Sequence, residues 1–167
     1  MAERVTVRAA SRAEAPLVLE FIRELAVYEH LEHAVTATVA DLERTLFGAA
    51  PAAFVLFACI GDVPVGFAVY FFNYSTFLAR PGLYLEDLYV QPAARGRGVG
   101  RALLVHLARI AVEKGCGRFE WAVLDWNSPA IGFYRSLGAE PADDWTIYRL
   151  TGASLGNLAA ERGASDT

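Results

Sequence analysis

Apolar positions along the chain change period several times, and each change marks an element. Residues 4–10, RVTVRAA, alternate like a half-buried strand. Ser11 and Glu14 have capping-box spacing, and Leu17, Val18, Phe21, Ile22 and Leu25 follow at helical intervals behind Pro16. Thr38 and Asp41 repeat that spacing, with Asp in place of Glu, and open a short helix through Phe47 that Gly48 and Pro51 stop. Two apolar runs, 53–60 and 63–72, are joined by Gly61-Asp62 and read as a hairpin. A loop of aromatics from Asn73 to Pro81 leads into a strand at 82–90. A long helix at about 98–114 buries Leu103, Leu104, Leu107, Ile110 and Ala111 and ends at Gly115. A strand at 118–124, a helix from Asn127 to about Leu137 and a strand at 144–150 complete the order β α α β β β α β α β. Hairpins followed by βαβ units predict an α/β protein with a mixed sheet.

The chain has 167 residues, 54% of them apolar and 20% charged, which fits one compact domain over 1–151. From Gly152 the tail is rich in Gly, Ala and Ser and is expected to be partly helical at best, poorly ordered and frayed. No apolar window reaches the roughly 20 residues that span a bilayer. The stretch MAERVTVRAAS lacks the apolar core of a signal peptide, so the expected location is cytoplasmic, with no membrane partner. A net charge of −4 gives no general attraction for nucleic acid.

Charge is nevertheless uneven. Arginines gather at 95–101, whereas Glu29, Glu32, Glu86, Asp87, Asp125, Asp143 and Asp144 lie elsewhere. One basic loop with scattered acids suits an anionic cofactor and a cationic substrate. Cys59 and Cys116 form no disulfide pattern, and Cys59 reads as a small buried hydrophobe. His30 and His33 lack a third ligand at metal spacing and read as solvated, so no metal is expected.

Arg95-Gly96-Arg97-Gly98-Val99-Gly100 enters a helix directly from a strand. A dinucleotide fingerprint fails because position 101 is arginine, and no Gly-Lys-Ser/Thr follows for a Walker loop. The physics is still that of an anion site. Open N–H groups in a helix first turn point outward, and glycines admit a bulky pyrophosphate. The alternative is a plain Gly-rich turn with solvated arginines.

Arg95-x-x-Gly98-x-Gly100, after the strand LYLEDLYV, resembles the acetyl-CoA signature of the GNAT N-acetyltransferases. The segment 126–141, WNSPAIGFYRSLGAEP, is similar to the second cofactor-side segment of that family. The nearest subfamily is the diamine (spermidine/spermine) acetyltransferases with their thialysine-acetylating relatives. ELAVYEHLEHAV (24–35), VGFAVYFFNYSTF (65–77) and DWNSPAIGFY (125–134) carry that likeness, while the segment from Gly138 to Trp145 looks shortened. The resemblance implies a GNAT fold, with a mostly antiparallel sheet whose strands splay and with flanking helices. It implies acetyl-CoA as co-substrate, a small amine as acceptor and a homodimer. It places the cofactor on Leu88, Tyr89, Val90, Arg95, Gly96, Arg97, Gly98, Val99, Gly100, Arg101, Asn127, Ser128, Pro129, Ala130 and Tyr134. It places the substrate near Tyr28, Glu29, Glu86, Asp87, Glu120, Trp121, Ala122 and Trp145.

The chemistry follows from the amine. An alkylammonium near pKa 10.4 loses its proton at pH 7 at a cost of about 4 kcal/mol before it can attack a thioester. A carboxylate can attract the cation and take the proton through water. Glu86 and Asp87 are neighbours in a strand, so regular pleating points them to opposite faces unless a bulge intervenes. By the resemblance Glu86 is the base and Asp87 orients substrate or holds structure. An N–H near Tyr89 or Val90 would stabilise the oxyanion. Tyr134, two helical turns after Asn127, would protonate the leaving thiolate. The alternatives are surface acids at a strand edge and a core tyrosine. Acetylation of a protein lysine or N-terminus, and acyl-CoA binding without turnover, are the other functional readings.

Overall fold

The computed structural model describes residues 4–161. By their internal contacts the residues fall into two compact units, Met1–Ala122 and Val123–Thr167.

The first unit holds β1 (Val5–Ala9), α1 (Ala15–Tyr28), α2 (Val39–Leu46), β2 (Phe54–Ile60), β3 (Val63–Ser75), β4 (Arg80–Val90), α3 (Val99–Glu113) and β5 (Arg118–Trp121), in that order. Both expected capping boxes form. Ser11 and Glu14 close one over a 3-10 turn that runs into α1, and Thr38 and Asp41 close the other at the start of α2. The sheet order is β1-β2-β3-β4-β5. Its first three pairings are antiparallel and β4–β5 is parallel.

Alternation along the strands sends one set of side chains to α1 and α2 and the other to α3. Phe21 of α1 sits at the centre of the first face, fully buried, with its ring 5.4 Å from Phe67, 5.7 Å from Phe57 and 6.3 Å from Tyr89. Burying such a ring stabilises the fold by about 1.5–3 kcal/mol. On the other face α3 buries Leu103, Leu104, Leu107 and Ala111 and packs on β1 to β4.

Two expectations need correction in this unit. The aromatic stretch 73–81 is not one loop: β3 continues to Ser75 and β4 begins at Arg80, pairing Ser75 with Arg80, because the hairpin ladder extends past the apolar run. The strand expected at 118–124 stops at Trp121. Its β4 partners end there too, at Leu85, so among the described residues Glu86–Val90 of β4 has no paired strand on that side. This is the splay that the fold class implies.

The second unit contains α4 (Ser128–Ser136) and α5 (Gly152–Ala160). Residues 144–150 form no strand, contrary to their alternation. They find no ladder partner, and Trp145, Ile147 and Tyr148 are 80%, 75% and 92% exposed. A strand pattern needs an adjacent edge to become a strand. The tail from Gly152 carries nine residues of helix in α5, and 162–167 lie outside the described residues. No helix among the described residues is long and apolar enough to cross a membrane.

Candidate active site

The pairing of β3 with β4 slips by one residue between Leu85 and Asp87. Tyr70 faces Leu85 and Val69 faces Asp87, which leaves Glu86 as the extra residue of a β-bulge. Asp87 thereby takes the face of Val69, Phe67 and Tyr89, toward α1, and Leu85 takes the face of α3. Glu86 is exposed and Asp87 half-buried.

The C-terminal end of α1 supplies a third acid. Helix α1 ends in a Schellman arrangement: Leu31 N–H donates to Ala26 O at 2.8 Å and His30 N–H to Val27 O at 3.2 Å. Helices α3 and α4 end in the same way with Gly115 and Gly138 in the left-handed position, at φ +70° and +87°. In α1 that position is His30, at φ +59°, a conformation that costs a non-glycine residue about 1 kcal/mol or more. This turn fixes the direction of Tyr28 and Glu29.

Electrostatics ties these acids together. Burial pushes the Asp87 carboxyl up to about 6, and the charges of Glu86 and Glu29 push in the same direction. Burial also raises Glu29. Within the β4–β5 ladder Tyr84 pairs with Glu120 and is raised by burial and then by Glu86 and Glu120, so Glu120 of β5 acts on the same face. Glu120 also lies 3.9 Å from Arg118. Among the described residues the charged groups acting on Asp87 are both acids, Glu86 and Glu29. The arrangement suits capture of an ammonium.

At the other end of β4, Gln91 N–H donates to Val65 O on β3. Ladder bonds alternate, so Leu88 and Val90 turn their N–H and C=O groups away from β3, to the side that β5 leaves open. The Val90 carbonyl accepts from Arg95 Nε at 2.9 Å. The guanidinium of Arg95 also lies 5.0 Å from the ring centroid of Tyr28 and 5.7 Å from that of Tyr89.

The glycine loop follows. Gly96 and Gly98 adopt φ +74° and +79°, with no atom within 4 Å of where a Cβ would stand. Gly98 caps α3 without a side-chain hydrogen bond, and the N–H groups of Val99, Gly100 and Arg101 precede the first intrahelical bond, which Ala102 N–H donates to Gly98 O. Arg97 and Arg101 are exposed, and Val99 is buried. An open, positively polarised cradle of this kind fits a pyrophosphate.

The remaining expected residues belong to β5, its following residue and the second unit. Trp121 pairs with Leu85 and lies 5.0 Å from Phe119, on the α3 face of β5, opposite to Glu120. Ala122 follows the end of β5 and is exposed. In the second unit Asn127 is buried and caps α4, accepting from Ala130 N–H at 3.4 Å. Ser128 and Pro129 form the exposed first turn, and Tyr134 is half-buried on the same helix, 5.7 Å from Phe133. Trp145 is exposed in the same unit.

Sequence reading missed Glu24, Gln91 and Tyr84. Glu24 precedes Tyr28 by one helical turn, a spacing that signals a shared face, and it accepts from Gln91 Nε2 at 3.2 Å.

Residues 19–139 match the acetyltransferase (GNAT) family. The chain is 38% identical to thialysine N-epsilon-acetyltransferase of Sus scrofa, over 94% of this chain and 98% of that protein. It is 32% identical to L-ornithine N5-acetyltransferase of Arabidopsis thaliana, over 89% and 85%. A solved integron cassette protein from the mobile metagenome of V. cholerae superposes with a TM-score of 0.79 at 31% identity, covering 96% of this chain and 99% of that one. Members of the matched family use acetyl-CoA as co-substrate. With its splayed sheet, its glycine cradle and these relatives, the chain belongs to the GNAT acetyltransferase family and is an N-acetyltransferase.

Proposed function

We propose that the enzyme moves the acetyl group of acetyl-CoA to a primary amine of a small cationic substrate, by direct attack in a ternary complex. The acceptor is a diamine, a polyamine or an amino acid of the thialysine or ornithine kind. The observation that carries this reading is the cluster of Asp87, Glu86 and Glu29, in which the charges of Glu86 and Glu29 both act on the half-buried Asp87 carboxyl. A raised carboxyl of this sort gains when an ammonium settles beside it, because the incoming charge offsets both burial and repulsion. The relatives that act on thialysine and ornithine have substrates with such a side-chain amine.

In this reading Asp87 and Glu29 hold the cation, with Tyr28 along its methylenes, and Glu86 takes its proton through water. Glu120, Trp121, Ala122 and Trp145 remain candidates for the far end of the substrate. Acetyl-CoA supplies the thioester. Gly96–Arg101 would hold its pyrophosphate, the outward groups of Leu88 and Val90 would line its pantetheine arm, and Asn127, Ser128, Pro129 and Ala130 would hold it from α4. Tyr89 N–H faces β3, so the Val90 N–H is the donor aimed at negative charge developing on the carbonyl oxygen. The amine nitrogen bonds to the carbonyl carbon, the C–S bond breaks, the Tyr134 hydroxyl protonates the sulfur, and the second proton that the nitrogen gives up restores that hydroxyl. The enzyme works as a cytoplasmic homodimer.

Free thiol release, followed with acetyl-CoA and a panel of putrescine, spermidine, spermine, thialysine, L-ornithine, lysine and a basic peptide, tests the proposal. Release is expected with the small amines. Release with the peptide alone would sink the small-amine reading, and tight acetyl-CoA binding with no release would favour a binding module.

A further inference from the structure

Arg95 opens the glycine signature, and its charge suggests a phosphate ligand. Its geometry points elsewhere. Its Nε donates to the Val90 carbonyl at 2.9 Å, and its guanidinium lies against two tyrosine rings, Tyr28 at 5.0 Å and Tyr89 at 5.7 Å. These contacts join the end of β4 to the end of α1. A second link runs in parallel, since Glu24, one turn before Tyr28, accepts from Gln91 Nε2 at 3.2 Å. Burial and Glu24 raise the Tyr89 phenol, and Arg95 opposes them, so Tyr89 stands between the two links.

What the links hold matters for the acceptor. Tyr28 is the last residue of α1, and Glu29 follows it into the turn where His30 adopts φ +59°. Glu29 is one of the two acids acting on Asp87. A helix end closed by a non-glycine left-handed residue gains from an outside brace, and Arg95 is placed to provide one.

We propose that Arg95 is a positioning residue for the amine, setting Tyr28 and Glu29 over Asp87, and not a ligand of the cofactor phosphates. The proposal rests on the reading that Glu29 and Asp87 receive the amine. A phosphate anchor needs only positive charge, which lysine keeps. A planar guanidinium stacked on rings and donating through Nε has no lysine equivalent.

The test compares Arg95→Lys, Arg95→Ala, Tyr28→Leu, the Tyr28→Leu/Arg95→Ala double variant and Glu29→Gln. For each, the KM for thialysine is measured at saturating acetyl-CoA, and the Kd for CoA by calorimetry. Arg95→Lys is expected to raise the thialysine KM about tenfold, with the CoA Kd changed by no more than about threefold. Tyr28→Leu should do the same, and the double variant should be no worse than the more severe single variant within about twofold. A larger change in CoA Kd than in thialysine KM for Arg95→Lys returns the residue to the phosphates and overturns the proposal. Effects of Tyr28→Leu and Arg95→Ala that simply multiply also overturn it. An unchanged thialysine KM in Glu29→Gln refutes the underlying acid-pocket reading instead, so the two failures are told apart.

Discussion

Replacing Asp87 by asparagine tests the acid cluster through stability and turnover together. The Asp87 carboxyl titrates at about 6 in the folded protein, against 3.8 for an unperturbed aspartate, because it is half-buried beside Glu86 and Glu29. The folded state therefore binds this proton more tightly than the unfolded chain does. Its favourable contribution is complete below about pH 3.8 and is lost as pH rises through about 6. Above that range the ionised side chain costs the fold up to about 3 kcal/mol, at about 1.4 kcal/mol for each pH unit between the two values. At pH 5 the same linkage gives about 1.5 kcal/mol. Asparagine keeps the shape of the protonated acid and never ionises. Asp87→Asn should thus gain about 3 kcal/mol at pH 8 and about half of that at pH 5, read from urea unfolding at both pH values. In a chain of this length the gain at pH 8 corresponds to a Tm higher by about 6–12 °C. The same variant should raise the amine KM at unchanged acetyl-CoA affinity. A variant no more stable than the parent at pH 8, or equally stabilised at both pH values, would refute the reasoning.

Two further outcomes are expected. Tyr134→Phe should cut turnover sharply with little change in acetyl-CoA affinity, measured by single-turnover kinetics and calorimetry, and an unimpaired rate removes Tyr134 from the chemistry. Glu14 is held down to about 2, first by the hydrogen bonds from Arg8, at 2.7 and 2.9 Å, and then by the Ser11 N–H at 2.8 Å. That lowered value adds stability above about pH 4.5, lost as pH falls through about 2. Glu14→Gln should accordingly cost about 1 kcal/mol at pH 7, after allowance for solvent screening of the exposed Arg8. The cost should shrink toward pH 3 in thermal unfolding.

Much of this molecule is readable from local chemistry. Ser11 with Glu14 and Thr38 with Asp41 mark their helix starts because a capping box is complete within four residues. Gly98 and Gly115 mark the two ends of α3 for the same reason. What local chemistry does not carry is pairing. Alternation puts Glu86 and Asp87 on opposite faces, and only the β3 partner, with Val69 and Tyr70 in place, reveals the bulge. Residues 144–150 alternate as a strand should, yet a strand also requires an edge to join. Tyr28 and Arg95 are separated by most of the first unit's chain, so their contact leaves no trace in either segment alone. The acids of the candidate site were visible one by one, while the coupling among them depends on burial and on α1 closing over the sheet.

The bulge carries one more consequence. Leu85 already faces Tyr70 and Asp87 already faces Val69, which are consecutive positions of β3. If Glu86 were excised, these pairs would become adjacent rungs of an unbroken ladder, and every other side chain of β4 would keep its side. Glu86 is therefore a residue the sheet can spare: it contributes nothing to the regularity of the architecture that carries it. A chain lacking that single residue would be a scaffold without its proposed base, and selection for the fold alone gives no reason to keep it.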